Sequence, residues 1–185
     1  MSYYLDIVGS VIIGGLLLLA VMSSYTNVSQ VALDSSVELT VQENLDEWTE
    51  IIQHDFRKIG YHVPNPAWAV QACDSTSITF MADVDNNGTI DSVSYFLGTP
   101  DQVPGTENPN DRALYRQVSG QPTTGGSLGL TDFRLLFYDN SGNPTWTPSD
   151  VKAVEVFIQV ESPFAVDSTY ERSNWRSVIH PLNLQ

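Results

Sequence analysis

The chain has 185 residues, enough for one globular domain and an additional element. Its 8 Lys and Arg residues against 22 Asp and Glu residues give a formal net charge of −14, which argues against a nucleic-acid-binding surface and against docking on anionic membranes, because both need clustered cations. The single cysteine, Cys73, excludes an intrachain disulfide and is expected to be a small buried side chain.

The first predicted element is an apolar helix. Residues 7–22 read IVGSVIIGGLLLLAVM, in which Ser10 is the only polar side chain, and no Asp, Glu, Lys or Arg occurs from Ile7 to Leu33. As a helix this run would extend about 24 Å, slightly less than a bilayer core, and the uncharged residues 23–31 would lengthen it.

Three interpretations of this segment compete. A cleaved secretory signal needs a basic start, but residues 1–6 read MSYYLD. A plain membrane anchor usually has Lys or Arg on its cytoplasmic flank, and the first Lys or Arg of this chain is Arg57. The third interpretation is a helix that lies in the membrane before assembly and in the core of a filament afterwards.

The start of the chain favours the third interpretation. The segment SYYLD followed by the apolar run resembles the mature N-terminus of type IV pilins and pseudopilins, where an acid at the fifth position precedes a hydrophobic helix. If Met1 is removed, Ser2 becomes the first residue and Asp6 the fifth, with Asp where the family usually has Glu. The resemblance implies that Asp6 pairs with the N-terminal amine of a neighbouring subunit, and pairing is what makes a carboxylate tolerable among apolar helices.

Two adjacent glycines, Gly14 and Gly15, interrupt the apolar run. Glycine pairs destabilise a helix interior, which predicts local melting. Small residues also allow helices to approach closely, which predicts tight packing between subunits. Both interpretations stay open for the sequence alone.

The second half of the predicted helix is amphipathic. Apolar side chains recur at spacings of three and four residues, at Leu45, Trp48, Ile52, Phe56 and Ile59. Arg57 and Lys58 lie in the last turn of the predicted helix, and Gly60 and Pro64 come after it; all of these are helix stop signals. The sequence predicts one helix from Ser2 to Ile59 that comprises an apolar segment, 1–33, and an amphipathic segment, 34–60, with residues 37–41 as its least helical part.

Residues 61–185 are predicted to form a β-rich globular domain. Strand-like segments occur at 77–82, 92–97, 114–118, 132–138 and 151–161, with a further edge strand or tail at 170–179. An antiparallel sheet of four or five strands packed on the amphipathic helix gives an α+β fold. This order of elements resembles the larger minor pilins and the J-type pseudopilins of type II secretion, which implies the same pilin-like fold.

An acidic turn between the first two predicted strands admits two interpretations. Its oxygen-bearing residues fall at alternate positions, as in a calcium loop, with Gly88 at the sharp turn. They are Asp83, Asp85, Asn87, the carbonyl of Thr89, and Asp91. However, Ser94 occupies the position where an EF-hand has a bidentate Glu, and the flanking segments look like strands. The alternative is a β-hairpin loop in which Asn and Gly accept positive φ.

The sequence contains no catalytic motif, so no enzymatic activity is expected. His54 and Asp55 are sequence neighbours that are expected to point to different parts of the helix and to form no dyad. The four tryptophans are expected to be mostly buried, although they are also the side chains that line carbohydrate sites.

The function expected from these features is that of a structural subunit of an extracellular filament on the cell surface, with an inner-membrane stage before assembly. Its partners would be copies of itself, other pilins and inner-membrane assembly machinery. No cofactor is required, and calcium is the one candidate ligand. The alternatives are a minor or tip pseudopilin of a secretion system, and a membrane-anchored extracellular binding domain with calcium dependence.

Overall fold

A computed structural model describes residues 2–103, 105–166 and 168–185, apart from the side chains of Ser2 and Leu5. The chain begins with one long helix, α1, which runs from Ser2 to Arg57. The predicted helix was two residues longer, and residues 37–41 are helical like their neighbours. The chain forms two compact units, Met1–Leu39 and Thr40–Gln185, so α1 contributes to both.

Helix α1 ends where the sequence places its stop signals. Gly60 has φ of 78°, the left-handed conformation that glycine adopts at little cost. Its amide does not continue the helix but donates to the carbonyl of Met81, at 2.9 Å. A Cβ at this position would also lie 3.1 Å from the Cβ of Ala69, so a side chain would crowd the adjoining segment.

Eight strands follow in two antiparallel sheets. The first sheet has the order β1 to β5 and the second has the order β6 to β8. The strands are β1 (Val70–Asp74), β2 (Ser77–Ala82), β3 (Asp91–Leu97), β4 (Leu114–Val118), β5 (Thr124–Gly126), β6 (Leu130–Tyr138), β7 (Ala153–Glu161) and β8 (Arg172–Ile179). Short 3-10 helices occupy Pro66–Trp68, Pro100–Gln102, Pro148–Asp150 and Leu182–Leu184.

The α+β class predicted from the sequence is confirmed, as one long helix packed on antiparallel sheets. The prediction of a single sheet of four or five strands is wrong, because the eight strands form one sheet of five and one of three. Hydrogen bonds between loops and strands link the two sheets. The amide of Leu135 donates to the carbonyl of Ser75, at 2.8 Å, and the amide of Arg112 donates to that of Leu130, also at 2.8 Å.

The core lies between the amphipathic part of α1 and the sheets. The predicted apolar face of the helix is buried, with Ile52, Phe56 and Ile59 inaccessible to solvent. The Phe56 ring packs edge-on against Phe80 of β2 and Tyr95 of β3, with ring centroids 5.9 and 5.5 Å apart. Burial of aromatic rings of this size is a major source of stability for a domain of this length.

Candidate functional site

The apolar segment of α1 exposes nearly all of its large side chains. From Ile7 to Met22 these side chains are 56–69% exposed. By length and composition, α1 is able to cross a membrane. Soluble proteins rarely leave a contiguous apolar surface of this extent in water. Exposed apolar surface of this extent is typical of segments that contact a membrane or another protein.

Two hydroxyl side chains within the apolar segment form hydrogen bonds with the helix backbone. The hydroxyl of Ser10 donates to the carbonyl of Ile7, at 2.8 Å, and that of Thr26 donates to Ser23, at 2.9 Å. Back-bonding of this kind removes the need for water around a helical Ser or Thr. The segment can therefore enter an apolar environment without leaving these hydroxyls unpaired.

The predicted assembly residues lie at the start of this segment. Asp6 is exposed immediately before the apolar run. The helix is continuous through Gly14 and Gly15, and a Cβ built at either glycine would have nothing within 4 Å, so both leave open space on the helix surface. Met1 and the side chain of Ser2 lie outside the described residues. The pairing of Asp6 with a neighbour's terminal amine stays a prediction.

The acidic turn joins β2 to β3, as a hairpin loop would. Asn86 and Gly88 have φ of 60° and 87°, the positive values expected for these residue types. Asp83 is fully buried and organises the loop. Its Oδ1 accepts from the amide of Asn87, at 3.0 Å, and its Oδ2 accepts from the amide of Gly88, at 3.0 Å, and lies 2.8 Å from His62 Nδ1. Burial raises the pKa of Asp83, but these hydrogen bonds outweigh it and lower the pKa.

The other two carboxylates of the turn also have hydrogen-bond partners. Asp85 accepts from the amide and the side chain of Asn87, at 3.1 and 2.8 Å. Asp91 already belongs to β3 and accepts from the hydroxyl of Ser119, at 3.2 Å. Thr89 donates its amide to the side chain of Asn87, at 2.7 Å. Across the described ranges, no three His, Cys, Asp or Glu side chains are placed together as metal ligands. Calcium at this turn remains a prediction from the sequence.

A buried charged cluster that the sequence analysis missed joins α1 to the first sheet. Asp55 is 3% exposed, and its Oδ2 accepts from the hydroxyl of Tyr95 and from Nε of Arg116, each at 2.6 Å. Burial alone would raise the pKa of Asp55, but the hydrogen bonds from Arg116 and Tyr95 and the charge of Arg116 lower it. The same burial and the adjacent carboxylate raise the pKa of Tyr95.

His54 belongs to this cluster, which corrects the sequence-based interpretation. Its Nδ1 lies 3.2 Å from Oδ1 of Asp55, so the two neighbours are in contact. The sequence does carry a signal for the cluster. Asp55 is three residues after Ile52 and four before Ile59, which places a carboxylate on the buried face of the helix. A charge on that face requires a partner.

The cluster lines one side of an open cleft of about 780 Å³. Its wall includes the exposed acids Glu50 and Asp85, together with Arg116, His54 and Asp91. The polar atoms of the Asp55 cluster form hydrogen bonds with one another, and these bonds connect α1 to β3 and β4.

The tryptophans and the cysteine are less buried than predicted. Trp48 is buried and Trp175 is partly buried, but Trp68 and Trp146 are 64% and 51% exposed. The Trp146 ring packs edge-on against Phe137, at 5.7 Å between centroids. Cys73 is partly buried and its thiol donates to the carbonyl of Trp146, at 3.3 Å.

No protein-family model matches the chain, and no curated protein matches it.

Proposed function

We propose that this protein is a structural subunit of an extracellular filament of the type IV pilin kind. The observation that carries the proposal is the apolar segment of α1, in which large side chains from Ile7 to Met22 are more than half exposed. The helix that bears them continues to Arg57 as part of a folded domain. Copies of the same helix would cover these side chains in the filament, and lipid would cover them before assembly.

The transfer from lipid to filament gains little hydrophobic free energy, because lipid tails are as apolar as the side chains. Close packing and polar pairing must therefore supply the specificity. Gly14 and Gly15 allow backbones to approach, since nothing occupies the space beside them. A carboxylate at Asp6 is costly in an apolar environment unless a cation neutralises it, and a neighbour's terminal amine provides one such cation per subunit.

The remaining domain suits the outside of such a filament. Apart from Asp6, every acidic or basic residue lies at position 34 or later. A strongly acidic, well-packed β domain stays soluble and resists non-specific association. A minor or tip subunit of a filament built from other pilins is a variant of the same proposal.

The test is substitution of Asp6 in cells that produce filaments. We expect Asp6→Ala to abolish filaments in the sheared extracellular fraction, as seen by electron microscopy, because each subunit loses the partner of the neighbouring amine. The globular domain should keep its thermal unfolding temperature. Asp34→Ala is the matched control, since Asp34 is also an exposed acid on α1 but lies after the apolar segment, and filaments should persist.

Two results would count against the proposal. Normal filaments from Asp6→Ala would remove the pairing argument. Recovery of the unaltered chain only as a membrane-bound monomer would favour the alternative, an anchored extracellular binding domain, for which an acid beside the apolar segment has no purpose.

A further inference from the structure

The three-stranded sheet has one face in the core and one face turned to solvent. Along each of its strands, more buried side chains alternate with more exposed ones, as expected for an antiparallel sheet that is solvated on one side. We call the solvated side the open face. Its side chains include Asp132 and Arg134 of β6, Glu155 and Phe157 of β7, and Arg172 and Arg176 of β8.

The open face is rich in arginine, although the chain is strongly acidic. Of the 8 Lys and Arg residues in a chain of net charge −14, it carries Arg134, Arg172 and Arg176. These cations are accompanied by two partly exposed carboxylates, those of Asp132 and Glu155, while Glu161 at the end of β7 is buried. Arg172 is exposed and forms no ion pair with any described residue. The open face is therefore suited to contact an anionic surface.

Two of the arginines flank an aromatic ring. Arg134, Phe157 and Arg176 are opposite one another in the strand pairing, and the Arg134 guanidinium lies 4.5 Å from the centre of the Phe157 ring. Arg134 pairs with Asp132, at 2.7 Å, and Arg176 pairs with Glu155, at 2.5 Å. The two arginine side chains are still 61% and 67% exposed, so further N–H groups of each guanidinium are accessible to a second carboxylate. Arginine and aromatic side chains are the types enriched at protein interfaces.

The amphipathic part of α1 carries the complementary surface. Four exposed acids occur there at spacings of three and four residues, which places them on one side of the helix, and we call this side the acidic ridge. They are Glu43, Asp46, Glu47 and Glu50. Like charges at these spacings destabilise a helix, and no ion pair among the described residues neutralises any of the four. The acidic ridge is therefore a surface that a cationic partner would stabilise.

We propose that the open face of one copy of this chain binds the acidic ridge of a second copy. The helix and the sheet share one hydrophobic core, and both surfaces point away from it. No ion pair between described residues joins the two surfaces within one chain. The inference rests on the proposed filament and names the contact between its globular domains.

A contact of this kind suits a filament because it joins two different surfaces of identical chains. Such heterologous contacts leave one surface of each kind free at either end, so that they continue from copy to copy as a ring or an open helical polymer. Every copy brings one ridge and one open face in equal number. A nucleic acid is a poorer occupant of the open face, because the acidic remainder of the domain would repel it.

The test separates a local contact from the effect of net charge. Glu43→Lys with Glu47→Lys makes the chain less acidic, and this would strengthen filaments if only general repulsion acted between the domains. We expect the opposite result, a rise of about tenfold in the fraction of unassembled subunits, because the new cations meet the arginines of the open face. Sedimentation and electron microscopy of filaments sheared from cells measure this fraction. The matched control, Glu107→Lys with Asp150→Lys, makes the same change of net charge at exposed acids outside the ridge and should not raise it.

The reciprocal variant changes the open face. Arg172→Glu with Asn174→Glu places two acids on the outer side of β8 without breaking either arginine ion pair, and it should raise the unassembled fraction by a similar factor. Combined in one chain with Glu43→Lys and Glu47→Lys, it should restore filaments, because the two surfaces are again complementary. Thermal unfolding of each full-length variant in detergent should match the wild type. If the β8 variant does not fold, the ridge variant and its control decide the matter alone.

The inference is overturned if the ridge variant assembles as well as the wild type or better. It is also overturned if the folded combined variant assembles no better than the two variants from which it is built. In both cases the wild-type filaments would leave the proposed filament intact. Absence of filaments from the wild type itself would overturn the filament and this contact together.

Discussion

Asp55 is a carboxylate on the buried face of α1, between Ile52 and Ile59. Taking such a charge out of water costs several kcal/mol, and only close partners with good geometry compensate for it. The Tyr95 hydroxyl and Arg116 Nε approach the same carboxylate oxygen, and Arg116 Nε also lies 3.1 Å from that hydroxyl. The cluster therefore fixes one position of the helix on the first sheet, since sliding α1 would separate Asp55 from both Tyr95 and Arg116.

Removal of the arginine should be costly. We expect Arg116→Met to lower the free energy of unfolding by about 3 kcal/mol, because it leaves Asp55 buried without a counter-charge. Arg134→Met is the matched control, since Arg134 pairs with Asp132 at a more exposed position and should lose less than about 1 kcal/mol. Urea denaturation at neutral pH measures both, and equal losses would mean that the Asp55 cluster is no more than a surface pair.

The pH dependence of stability in the wild type and in Arg116→Met provides an internal check. The pKa of Asp55 is lowered in the folded state, so its contribution is complete above the unfolded pKa of about 4 and is lost as the pH falls through the folded value. In Arg116→Met, burial without the cation raises that pKa, so acid relieves the penalty. The stability difference between the wild type and Arg116→Met should therefore begin to narrow above about pH 4, as Asp55 of the variant protonates, and should narrow further below about pH 4, as the wild type loses its contribution.

The sequence predicts the buried position of Asp55 in this cluster but not the partners of its carboxylate. The spacing of Ile52, Asp55 and Ile59 places the acid on the apolar face, but the sequence does not show which cation reaches it. Arg116 is 61 residues away in the chain, on a strand whose position depends on the whole sheet.

Among the elements, those with a strong local pattern were predicted well. The amphipathic part of α1 has a regular spacing of apolar residues, and β2 matches its predicted bounds because SITFMA alternates between buried and partly buried positions. The strands that were missed have weaker patterns. β1 reads VQACD, which has one fully buried residue, and β5 reads TGG, which has little β propensity. Division into two sheets was not predicted because alternation identifies strands but not their neighbours.

The turn that enters β6 depends on a glycine. Gly129 has φ of 71°. A Cβ at this position would lie 2.4 Å from the carbonyl oxygen of Glu161, which is a severe steric clash with the backbone. The carbonyl of Gly129 also accepts from the amide of Glu161, at 2.8 Å, so the two backbones are held together. The turn therefore holds the end of β7 against the start of β6.

We expect Gly129→Ala to destabilise the protein by about 3 kcal/mol, from left-handed strain together with the steric clash. Gly126→Ala is the control three residues earlier, because a Cβ there has nothing within 4 Å, and it should change stability by less than about 1 kcal/mol. Chemical denaturation of both variants makes the comparison. Similar values would show that the strand and the turn can move apart to admit a methyl group.

At the scale of the whole molecule, charge and apolar surface are strictly separated along the chain. No charged residue occurs between Asp6 and Asp34, and the following residues carry nearly the whole net charge of −14. In the filament that we propose, the apolar helices would gather at the centre and the acidic domains would be brought close together. The helices favour association, and the domains oppose it through repulsion that ions screen over about 10 Å at 0.1 M salt.

Filament stability should therefore increase with ionic strength. We expect isolated filaments diluted from 150 mM to 5 mM NaCl to shorten and release subunits, measured by sedimentation and electron microscopy, because the repulsion then acts over a longer range. A triple variant, Glu107→Gln, Asp150→Asn and Glu171→Gln, removes three exposed acids and should resist this dilution. Filaments that are indifferent to salt would show that contacts between the domains already neutralise their charge in the assembled state.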